Sequence, residues 1–287
     1  MTSKKERLDV LLVEQGLMET REKAKRAIMA GIVYSNENRL DKPGEKIARD
    51  TPLIVKGNPL KYVSRGGLKL EKALKEFDLT VEGKLLIDIG SSTGGFTDCA
   101  LQNGAVKSYA VDVGYNQLAW KLRQDERVVV MERTNFRHSV PADFTEGLPE
   151  VASIDVSFIS LKLILPALKH ILVPGGDCIA LVKPQFEAGR ELVGKKGIVR
   201  EPAVHLGVLE EMNQFAAKEG YDVTDVSFSP ITGGDGNIEF LLHLVLRPDQ
   251  EENASLPTSS LEQVVKEAHA VLKEKKNSPE LTDTSDR

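Results

Sequence analysis

The spacing of apolar residues between positions 67 and 183 alternates between two periods. In some stretches apolar residues recur at helical spacing, and short continuous apolar runs between these stretches predict strands. In chain order, the elements are a helix at 67–78, a strand at 84–89, a helix at 95–103, a strand at 108–113, a helix at 115–123, strands at 127–131 and 151–156, a helix at 161–172 and a strand at 178–183. Such alternation predicts a mostly parallel α/β sheet with helices on both faces.

The pattern changes after this sheet. A helix near 202–219 and strands near 221–228 and 238–246 predict an antiparallel closing pair, so the fold class is a Rossmann-like α/β sheet. Beyond Arg247 the chain turns polar, except where Ser259 and Glu262 form a capping box before an apolar stripe. The stripe consists of Leu261, Val264, Val265, Ala268 and Leu272. We expect one amphipathic helix in this tail and disorder over 277–287.

The first sixty residues have shorter elements. A helix over 6–15 ends at Gly16, a second begins after Thr20 and ends at Gly31, and short strands follow at 32–34 and 53–55. This pattern predicts a small α+β module. Because Gly57-Asn58-Pro59 breaks the chain, we place its limits at 1–60, followed by a linker at 61–67, the large domain at 68–248 and the polar tail at 249–287.

The composition is that of an ordinary globular protein, with 41% hydrophobic and 28% charged residues in 287 positions. The sequence shows neither an apolar run of the ~18 residues that a membrane span needs nor a signal peptide, so we expect a cytoplasmic protein. Cys99 and Cys178 lie far apart without further ligands at metal-binding spacing. We therefore expect no disulfide and no metal.

Positive charge is concentrated at the front of the chain. The net charge is −5, yet residues 1–69 carry fifteen Lys and Arg against nine Asp and Glu. A solvated helix face would explain a cationic second helix equally well. However, Arg7-Leu8-Asp9, Thr20-Arg21-x-x-Ala24 and Ile28-x-x-Gly31-x-Val33 together resemble the S-four-type RNA-binding domain. The resemblance implies RNA contacts by cations, for which the candidates are Arg7, Arg21, Lys23, Lys25, Arg26 and, in the linker, Arg65.

A small-residue loop follows the strand that ends at Gly90. Its glycines are expected to remove Cβ atoms that would block a ligand, and the next helix offers free N–H groups. Asp112 ends the next strand and could bond a ribose. The Gly-x-Gly-x-x-Gly fingerprint of nicotinamide or flavin sites is absent, so S-adenosylmethionine is the better candidate. The candidate cofactor residues are Asp88, Gly90, Ser91, Thr93, Gly94, Gly95, Phe96, Asp112, Val113, Thr134 and Asn135.

Four ionisable residues fall at element ends that would converge beside this loop: Lys69, Asp155, Lys183 and Glu239. Lys69 and Glu239 taken singly are unremarkable, but Asp155 and Lys183 each end an apolar strand, where ligands bind in open α/β sheets. Transfer of a methyl group to a hydroxyl needs a group that takes the hydroxyl proton. We expect Lys183 to do so, with desolvation and Lys69 favouring its neutral form and with Asp155 and Glu239 orienting it.

Five motifs in order resemble the hemolysin A (TlyA) family over nearly the whole chain. They are Ser64-Arg-Gly-Gly-Leu-Lys69, Asp88-Ile-Gly-Ser-Ser-Thr-Gly-Gly-Phe-Thr-Asp98, Asp155-Val-Ser-Phe-Ile-Ser160, Leu181-Val-Lys-Pro-Gln-Phe-Glu187 and Gly236-Asn-Ile-Glu-Phe240. The resemblance implies a catalytic domain of the FtsJ (RrmJ) type with a Lys-Asp-Lys-Glu tetrad at the four positions above. It also implies 2′-O-methylation of cytidines in ribosomal RNA, with ribosomal subunits as partners.

Two other classes of function have less support from the sequence. A membrane-active cytolysin, which the family name suggests, has little support, since no strongly cationic amphipathic helix is visible. A ribosome-assembly binder without catalysis is disfavoured because the tetrad and the loop are complete. The sequence determines neither the oligomeric state nor the nucleotide that is modified.

Overall fold

The computed structural model describes residues 5–29, 31–36, 38–56, 61–233 and 236–277, with side chains of the last helix described as far as Leu272. The chain divides into two compact units, Met1–Val63 and Ser64–Arg287. The predicted disorder over 277–287 falls, apart from Asn277, outside the described residues.

The N-terminal unit packs two helices with short strands. Its elements are β1 (Lys5–Arg7), α1 (Leu8–Glu14), α2 (Arg21–Met29), β2 (Val33–Ser35), β3 (Asn38–Arg39), β4 (Lys46–Ala48) and β5 (Ile54–Val55). Strand β2 lies between β3 and β5. The core is formed mainly by the apolar faces of the two helices, including Leu8, Leu12 and Ile28. The predicted first helix begins later than expected, at Leu8, because the preceding three residues pair antiparallel with β4.

The C-terminal unit contains the remaining elements. They are α3 (Gly67–Glu76), β6 (Leu85–Ile89), α4 (Gly95–Gln102), β7 (Lys107–Val111), α5 (Trp120–Arg123), β8 (Val128–Met131), β9 (Val151–Ile154), α6 (Leu165–Leu168), β10 (Asp177–Val182), α7 (Pro184–Glu187), α8 (Pro202–Lys218), β11 (Tyr221–Phe228), β12 (Phe240–Leu246) and α9 (Thr258–Asn277). Helix α9 packs on α8 and β11 and buries Leu261, Val265 and Ala268.

These strands form one seven-stranded sheet in the order β11-β12-β10-β9-β6-β7-β8. The five strands from β10 to β8 are parallel, and β12 runs antiparallel between β10 and β11. The predicted fold class, a mostly parallel Rossmann-like sheet with an antiparallel closing strand, is therefore confirmed.

The sheet register brings distant residues to one edge. Val182, the last residue of β10, pairs with Phe240, the first residue of β12. Lys183 therefore follows one strand at the point where Glu239 precedes its neighbour. The backbone N–H of Asp155, just after β9, donates to the carbonyl of Ile89 at the end of β6. The carboxyl ends of parallel strands are where ligands bind in open α/β sheets.

The predicted helix at 115–123 is wrong, because only Trp120–Arg123 is helical. The Glu132 side chain accepts hydrogen bonds from the backbone N–H groups of Asn116, Gln117 and Leu118. Asn116 also has a φ of 59°, in the left-handed region. Left-handed backbone at this position interrupts a right-handed helix, and Glu132 satisfies the amides of the loop that replaces it.

The predicted helix at 161–172 is also wrong. It consists of a 3₁₀ turn at Leu161–Leu163 and the single α-helical turn α6. The Glu187 carboxylate accepts from the backbone N–H of Leu161 and thereby caps the 3₁₀ turn. Pro166 has no N–H to donate, so a continuous helix would lose a hydrogen bond at this position.

Candidate active site

The four ionisable residues predicted at element ends are in direct contact. The Lys69 Nζ lies 3.1 Å from Asp155 Oδ2 and 2.9 Å from Glu239 Oε2. The Lys183 Nζ lies 2.5 Å from Asp155 Oδ1. All four line one cavity of about 640 Å³. Residues separated by as many as 170 positions along the chain therefore form one chain of alternating charges.

Burial and charge act in opposite directions within this network. Burial by itself lowers the pKa of Lys69, but the carboxylates of Asp155 and Glu239 raise it by more, so the net direction is upward. Burial likewise raises the pKa of Asp155, and the two ammonium groups outweigh it, so the net direction is downward. Lys69 and Asp155 are thus held in their charged forms by each other.

The partners of the network differ in part from the expectation. Among the described residues, Glu239 contacts Lys69 and receives a 3.2 Å hydrogen bond from Gln185 Nε2, but it does not contact Lys183. The second contact of Lys183 is the Ser157 hydroxyl, 3.0 Å away. The expectation that Glu239 orients Lys183 is therefore wrong. It contacts Lys69 instead, although the sheet register places it just before β12, next to the end of β10.

Close packing gives two glycines of the loop after β6 a reason in addition to the one expected. A Cβ atom on Gly90, whose φ is 85°, would lie 2.6 Å from the Asp155 carbonyl oxygen. A Cβ on Gly94, whose φ is 94°, would overlap Leu118 and Leu122. These glycines permit close packing of the protein against itself. In particular, Gly90 lets the strand carrying Asp155 approach the loop.

Asp88 is the last polar residue of β6 and is 1% exposed. Its carboxylate accepts from the Thr97 backbone N–H at 3.0 Å, the Thr97 hydroxyl at 2.8 Å and the Ser153 hydroxyl at 3.2 Å. Burial raises the pKa of Asp88 to about 7, against the lowering effect of the Thr97 hydrogen bonds. The residue also lines the 640 Å³ cavity.

A second cavity of about 310 Å³ adjoins the first. Both share the walls formed by Gly90, Ser92 and Asp155. Asp112 lines it and accepts from the backbone N–H groups of Ser92 at 2.7 Å and Gly114 at 2.6 Å. Three more of the predicted cofactor residues, Val113, Thr134 and Asn135, line this second cavity. Its apolar lining consists of Val111, Phe136, Ile159 and Ile164, among others.

The structure distributes the eleven predicted cofactor residues between these two cavities, with two exceptions. Asp88, Gly90, Ser91, Gly95 and Phe96 line the larger one. Thr93 and Gly94 line neither, since the Thr93 carbonyl accepts from Ala119 and Gly94 packs under leucines.

One buried atom in the loop suits a polar ligand. Ser91 is 5% exposed and lines the larger cavity, and its hydroxyl has no hydrogen-bond partner among the described residues. A buried hydroxyl without a partner is costly. A ligand that brings a carboxylate or an amino group into the loop would satisfy it. The donors and acceptors present therefore fit the amino-acid and ribose ends of S-adenosylmethionine.

Sequence reasoning assigned no role to an aromatic pair at the mouth of the site. Phe158 is 90% exposed, has a φ of 65° and lies 4.9 Å from Phe186 between ring centroids. Both line the tetrad cavity and a third cavity of about 560 Å³. An exposed bulky side chain on left-handed backbone is unusual and strained. Phe158 lies in the motif that begins at Asp155, and Phe186 lies in the motif that begins at Leu181. Membership in these motifs was the signal in the sequence that could have identified the pair.

The predicted RNA-binding cations have mixed surroundings. Arg7 and Arg21 both bond the buried Asp9 carboxylate, at 2.9 Å each. Lys23 pairs with Glu19, and Lys25 pairs with Glu22 at 3.0 Å. Arg26 and Arg65 are exposed and have no carboxylate partner among the described residues. Two of the six cations thus stabilise the fold through Asp9, which the charge count could not show.

Within the described ranges, no group of three or more His, Cys, Asp or Glu side chains is arranged to hold a metal ion. Among the helices described, none is both long enough and apolar enough to span a bilayer.

Comparison with family models gives two matches. A model described as FtsJ-like methyltransferase matches residues 62–246, and a model described as S4 domain matches residues 6–51. The first covers more than half of the chain and includes all four tetrad residues. The second covers the helices that carry most of the cationic candidates.

Known proteins resemble the chain along nearly its whole length. A Bacillus subtilis protein with the provisional name rRNA methyltransferase YqxC is 77% identical over 96% of this chain and 98% of its own. A Mycobacterium tuberculosis protein named 16S/23S rRNA (cytidine-2′-O)-methyltransferase TlyA is 39% identical over 88% of this chain and 94% of its own. A solved structure from Streptococcus thermophilus, provisionally named a hemolysin, is 59% identical, covers 96% of this chain and 99% of its own, and has a TM-score of 0.76.

The resemblance to TlyA proteins and to FtsJ-type catalytic domains is confirmed by these matches, and the chain is a methyltransferase. With the tetrad cavity at the carboxyl edge of its sheet and an S4 domain in front, the protein belongs to the FtsJ-like methyltransferase family, with TlyA proteins among its relatives.

Proposed function

We propose that this protein transfers the methyl group of S-adenosylmethionine to the 2′-hydroxyl of a cytidine in ribosomal RNA. The observation that carries the proposal is the contact network of Lys69, Asp155, Lys183 and Glu239 beside the glycine turn. The names of the Mycobacterium and Bacillus relatives support ribosomal RNA as the substrate, and the former supports cytidine.

The two adjoining cavities suit the two ends of the cofactor, which supplies a methyl group carried on a sulfonium. In this proposal Asp112 bonds the ribose hydroxyls, since a carboxylate has lone pairs beyond the two used by backbone N–H groups. Val113, Thr134 and Asn135 border the adenine. Ser91 and Asp88 face the amino-acid end, with Gly90, Gly95 and Phe96 shaping the wall.

Lys183 is proposed to take the proton from the attacking hydroxyl. A lysine can do so only in its neutral form. Lys69 and Lys183 share the Asp155 carboxylate, so the Lys69 ammonium weakens the attraction of Asp155 for the Lys183 side chain. Ser157 holds the Lys183 amine from the other side.

Phe158 is proposed to stack on the base of the target nucleotide. Single-stranded bases bind proteins largely by stacking on aromatic side chains. The exposed ring, its partner Phe186 and the adjoining 560 Å³ cavity provide a surface and a space of suitable size. The backbone strain at Phe158 is consistent with a side chain directed outward for contact with a ligand.

The N-terminal module is proposed to hold the RNA by its phosphates. Its limits are placed at 1–60, with a linker at 61–67, a methyltransferase domain at 68–248 and a tail at 249–287. Arg26 of this module and Arg65 of the linker are the best candidates for this, since the other four candidates already contact carboxylates. Because the proposed substrate is ribosomal RNA, we place the activity in the cytoplasm.

The test is mass mapping of ribosomal RNA from cells without the gene, complemented by variants. The wild-type gene should restore a ribose methyl on a cytidine, and Lys183→Ala should slow transfer by about 10²–10⁴-fold, the usual contribution of a general base. The matched control is Lys162→Ala, which removes a lysine paired with Glu211 on the surface.

Calorimetry should show that both variants bind S-adenosylmethionine like the wild type. If Lys183→Ala restored the methyl in full, or if no ribose methyl depended on the gene, the proposal would fail. Binding of RNA without methylation would favour the assembly-factor alternative. Lysis of red cells by pure protein that survives Lys183→Ala would favour the cytolysin.

A further inference from the structure

The loop between α7 and α8, residues 188–201, borders the catalytic cavity. Lys196 and Gly197 line the same 640 Å³ cavity as the tetrad. The adjacent Lys195 does not line it. The loop therefore brings an additional cation to the cavity that contains the reacting groups.

The charges of the tetrad do not themselves attract an anion. Both ammonium groups contact carboxylates, and two lysines face two acids. With Lys183 neutral, as a base must be, the four residues carry one net negative charge. An RNA strand reaching the cavity brings phosphates, which such a site repels. A cation elsewhere on the wall is needed to offset this repulsion.

Lys196 meets that need. Among the described residues, no carboxylate lies within ion-pair distance of it, and its side chain is exposed. All other charged members of the cavity wall belong to the tetrad or to Asp88, which is buried. Lys196 is thus the cation of this wall that is available to a ligand.

Hydrogen bonds from a neighbouring segment hold the backbone of the loop around Lys196 in place. Its φ is 64° and its ψ is 22°, a left-handed conformation that favours glycine. The buried Asn237 donates to the Gly197 carbonyl at 3.0 Å and accepts from the Val199 N–H at 3.0 Å. Asn237 lies two residues before Glu239, so the loop is anchored to the same segment as the tetrad.

We propose that the Lys196 ammonium binds a backbone phosphate next to the target ribose and so seats the RNA strand against the tetrad. The inference rests on the proposed function, because it assumes that RNA is the substrate. The carboxylate of the cofactor is the other anion that could reach this wall, and the experiment separates the two.

The experiment compares four full-length proteins: wild type, Lys196→Gly, Lys196→Arg and the control Lys195→Ala. Glycine removes the charge and also relieves the left-handed backbone, so this variant should have a Tm no lower than wild type. Binding is measured against purified small and large ribosomal subunits from cells lacking the gene, over a series of salt concentrations. Affinity for S-adenosylmethionine is measured by calorimetry in parallel.

Lys196→Gly should weaken binding to the substrate subunit about threefold to fivefold at low salt, the size of one exposed ion pair. The slope of log affinity against log salt should fall by about 0.7, as expected for one lost contact with single-stranded phosphate. Lys196→Arg and Lys195→Ala should match the wild type, and cofactor affinity should not change in any variant.

An unchanged salt slope for Lys196→Gly would overturn the proposal. So would a loss of cofactor affinity without a loss of RNA affinity, which would assign Lys196 to the cofactor carboxylate. If the wild type itself neither bound nor methylated either subunit, the proposed function would fail first. If the wild type methylates a subunit and Lys196→Gly binds that subunit with the same affinity and salt slope, only this inference is rejected.

Discussion

Asp88→Asn should make the protein more stable at alkaline pH and at the same time a weaker binder of its cofactor. Asparagine has the shape of aspartate and can still accept the hydrogen bonds that Thr97 donates. What it removes is the negative charge, which the folded protein buries almost completely at this position.

The magnitude follows from the displaced pKa. Burial raises the pKa of Asp88 from 3.8 to about 7. Three pH units correspond to about 4 kcal/mol of unfavourable free energy when the folded protein carries the ionised group. Weaker hydrogen bonds to a neutral amide offset about 1–2 kcal/mol of the gain. We therefore expect the free energy of unfolding of Asp88→Asn to exceed that of wild type by about 2 kcal/mol at pH 8.

The stability difference between Asp88→Asn and the wild type depends on pH. Between about pH 4 and pH 7, the folded wild type retains the Asp88 proton that the unfolded chain has lost, so wild-type stability falls as pH rises through this window. At pH 5 the folded wild type is already protonated at Asp88. The advantage of Asp88→Asn should therefore be small or absent at pH 5 and grow towards pH 8.

The assay is urea unfolding at pH 5 and pH 8, followed by fluorescence of Trp120, the one tryptophan of the chain, which lies in the C-terminal unit. Asp98→Asn is the matched control, since Asp98 is also buried but accepts from Lys121 at 3.0 Å and Gln102 at 3.1 Å. Removal of that ion-paired charge should cost about 0.5–1 kcal/mol.

Calorimetry should show S-adenosylmethionine binding about tenfold more weakly to Asp88→Asn, the loss of one charge-assisted hydrogen bond. If Asp88→Asn were instead less stable than wild type by similar amounts at both pH values, the three hydrogen bonds would outweigh burial and the reasoning would be refuted. Unchanged cofactor affinity would remove Asp88 from the proposed cofactor site.

Three further predictions concern backbone strain and the N-terminal unit. Phe158→Gly should raise the free energy of unfolding by about 1 kcal/mol, because glycine relieves the left-handed backbone, and it should abolish most methylation. Phe158→Tyr should retain activity. A fully active Phe158→Gly would exclude stacking. Gly90→Ala should lower the free energy of unfolding by about 2–4 kcal/mol, because the added Cβ would overlap the Asp155 carbonyl oxygen. Urea unfolding followed by Trp120 fluorescence measures this loss. A loss under 1 kcal/mol would show that the strands can separate to make room. In Asp9→Asn, hydrogen exchange in α1 should reveal a loss of about 1–2 kcal/mol at pH 7. Hydrogen bonds from Arg7 lower the pKa of Asp9 to about 2, so this difference should vanish as pH falls from 4 to 2, and a difference that persisted at pH 2 would contradict the ion-pair explanation.

Local patterns were sufficient for the chain order of the seven strands in the large sheet. The apolar strand ending at Gly90, the small-residue loop and the helix that begins at Gly95 are all visible as runs and spacings within a few residues. The same holds for the closing strands and the amphipathic C-terminal helix. Burial of apolar side chains imposes these periods on any sequence that folds this way.

The two wrong helices show where local pattern is insufficient. In one, the Glu132 carboxylate from beyond a strand takes three backbone amides, and in the other Glu187 caps a short turn from 26 residues away. Helix formation depends on where the N–H groups find acceptors. A distant side chain can supply one, and spacing along the chain does not record it.

The sequence by itself determined which residues stand at strand ends and therefore which could meet at the carboxyl edge of the sheet. Only the tertiary structure decided how they pair: Glu239 with Lys69, Lys183 with Asp155 and Ser157, and Arg7 and Arg21 with Asp9. The physical reason is distance. An ion pair or hydrogen bond is made or lost within less than an ångström, and separations that small depend on strand register and packing between segments far apart in the chain.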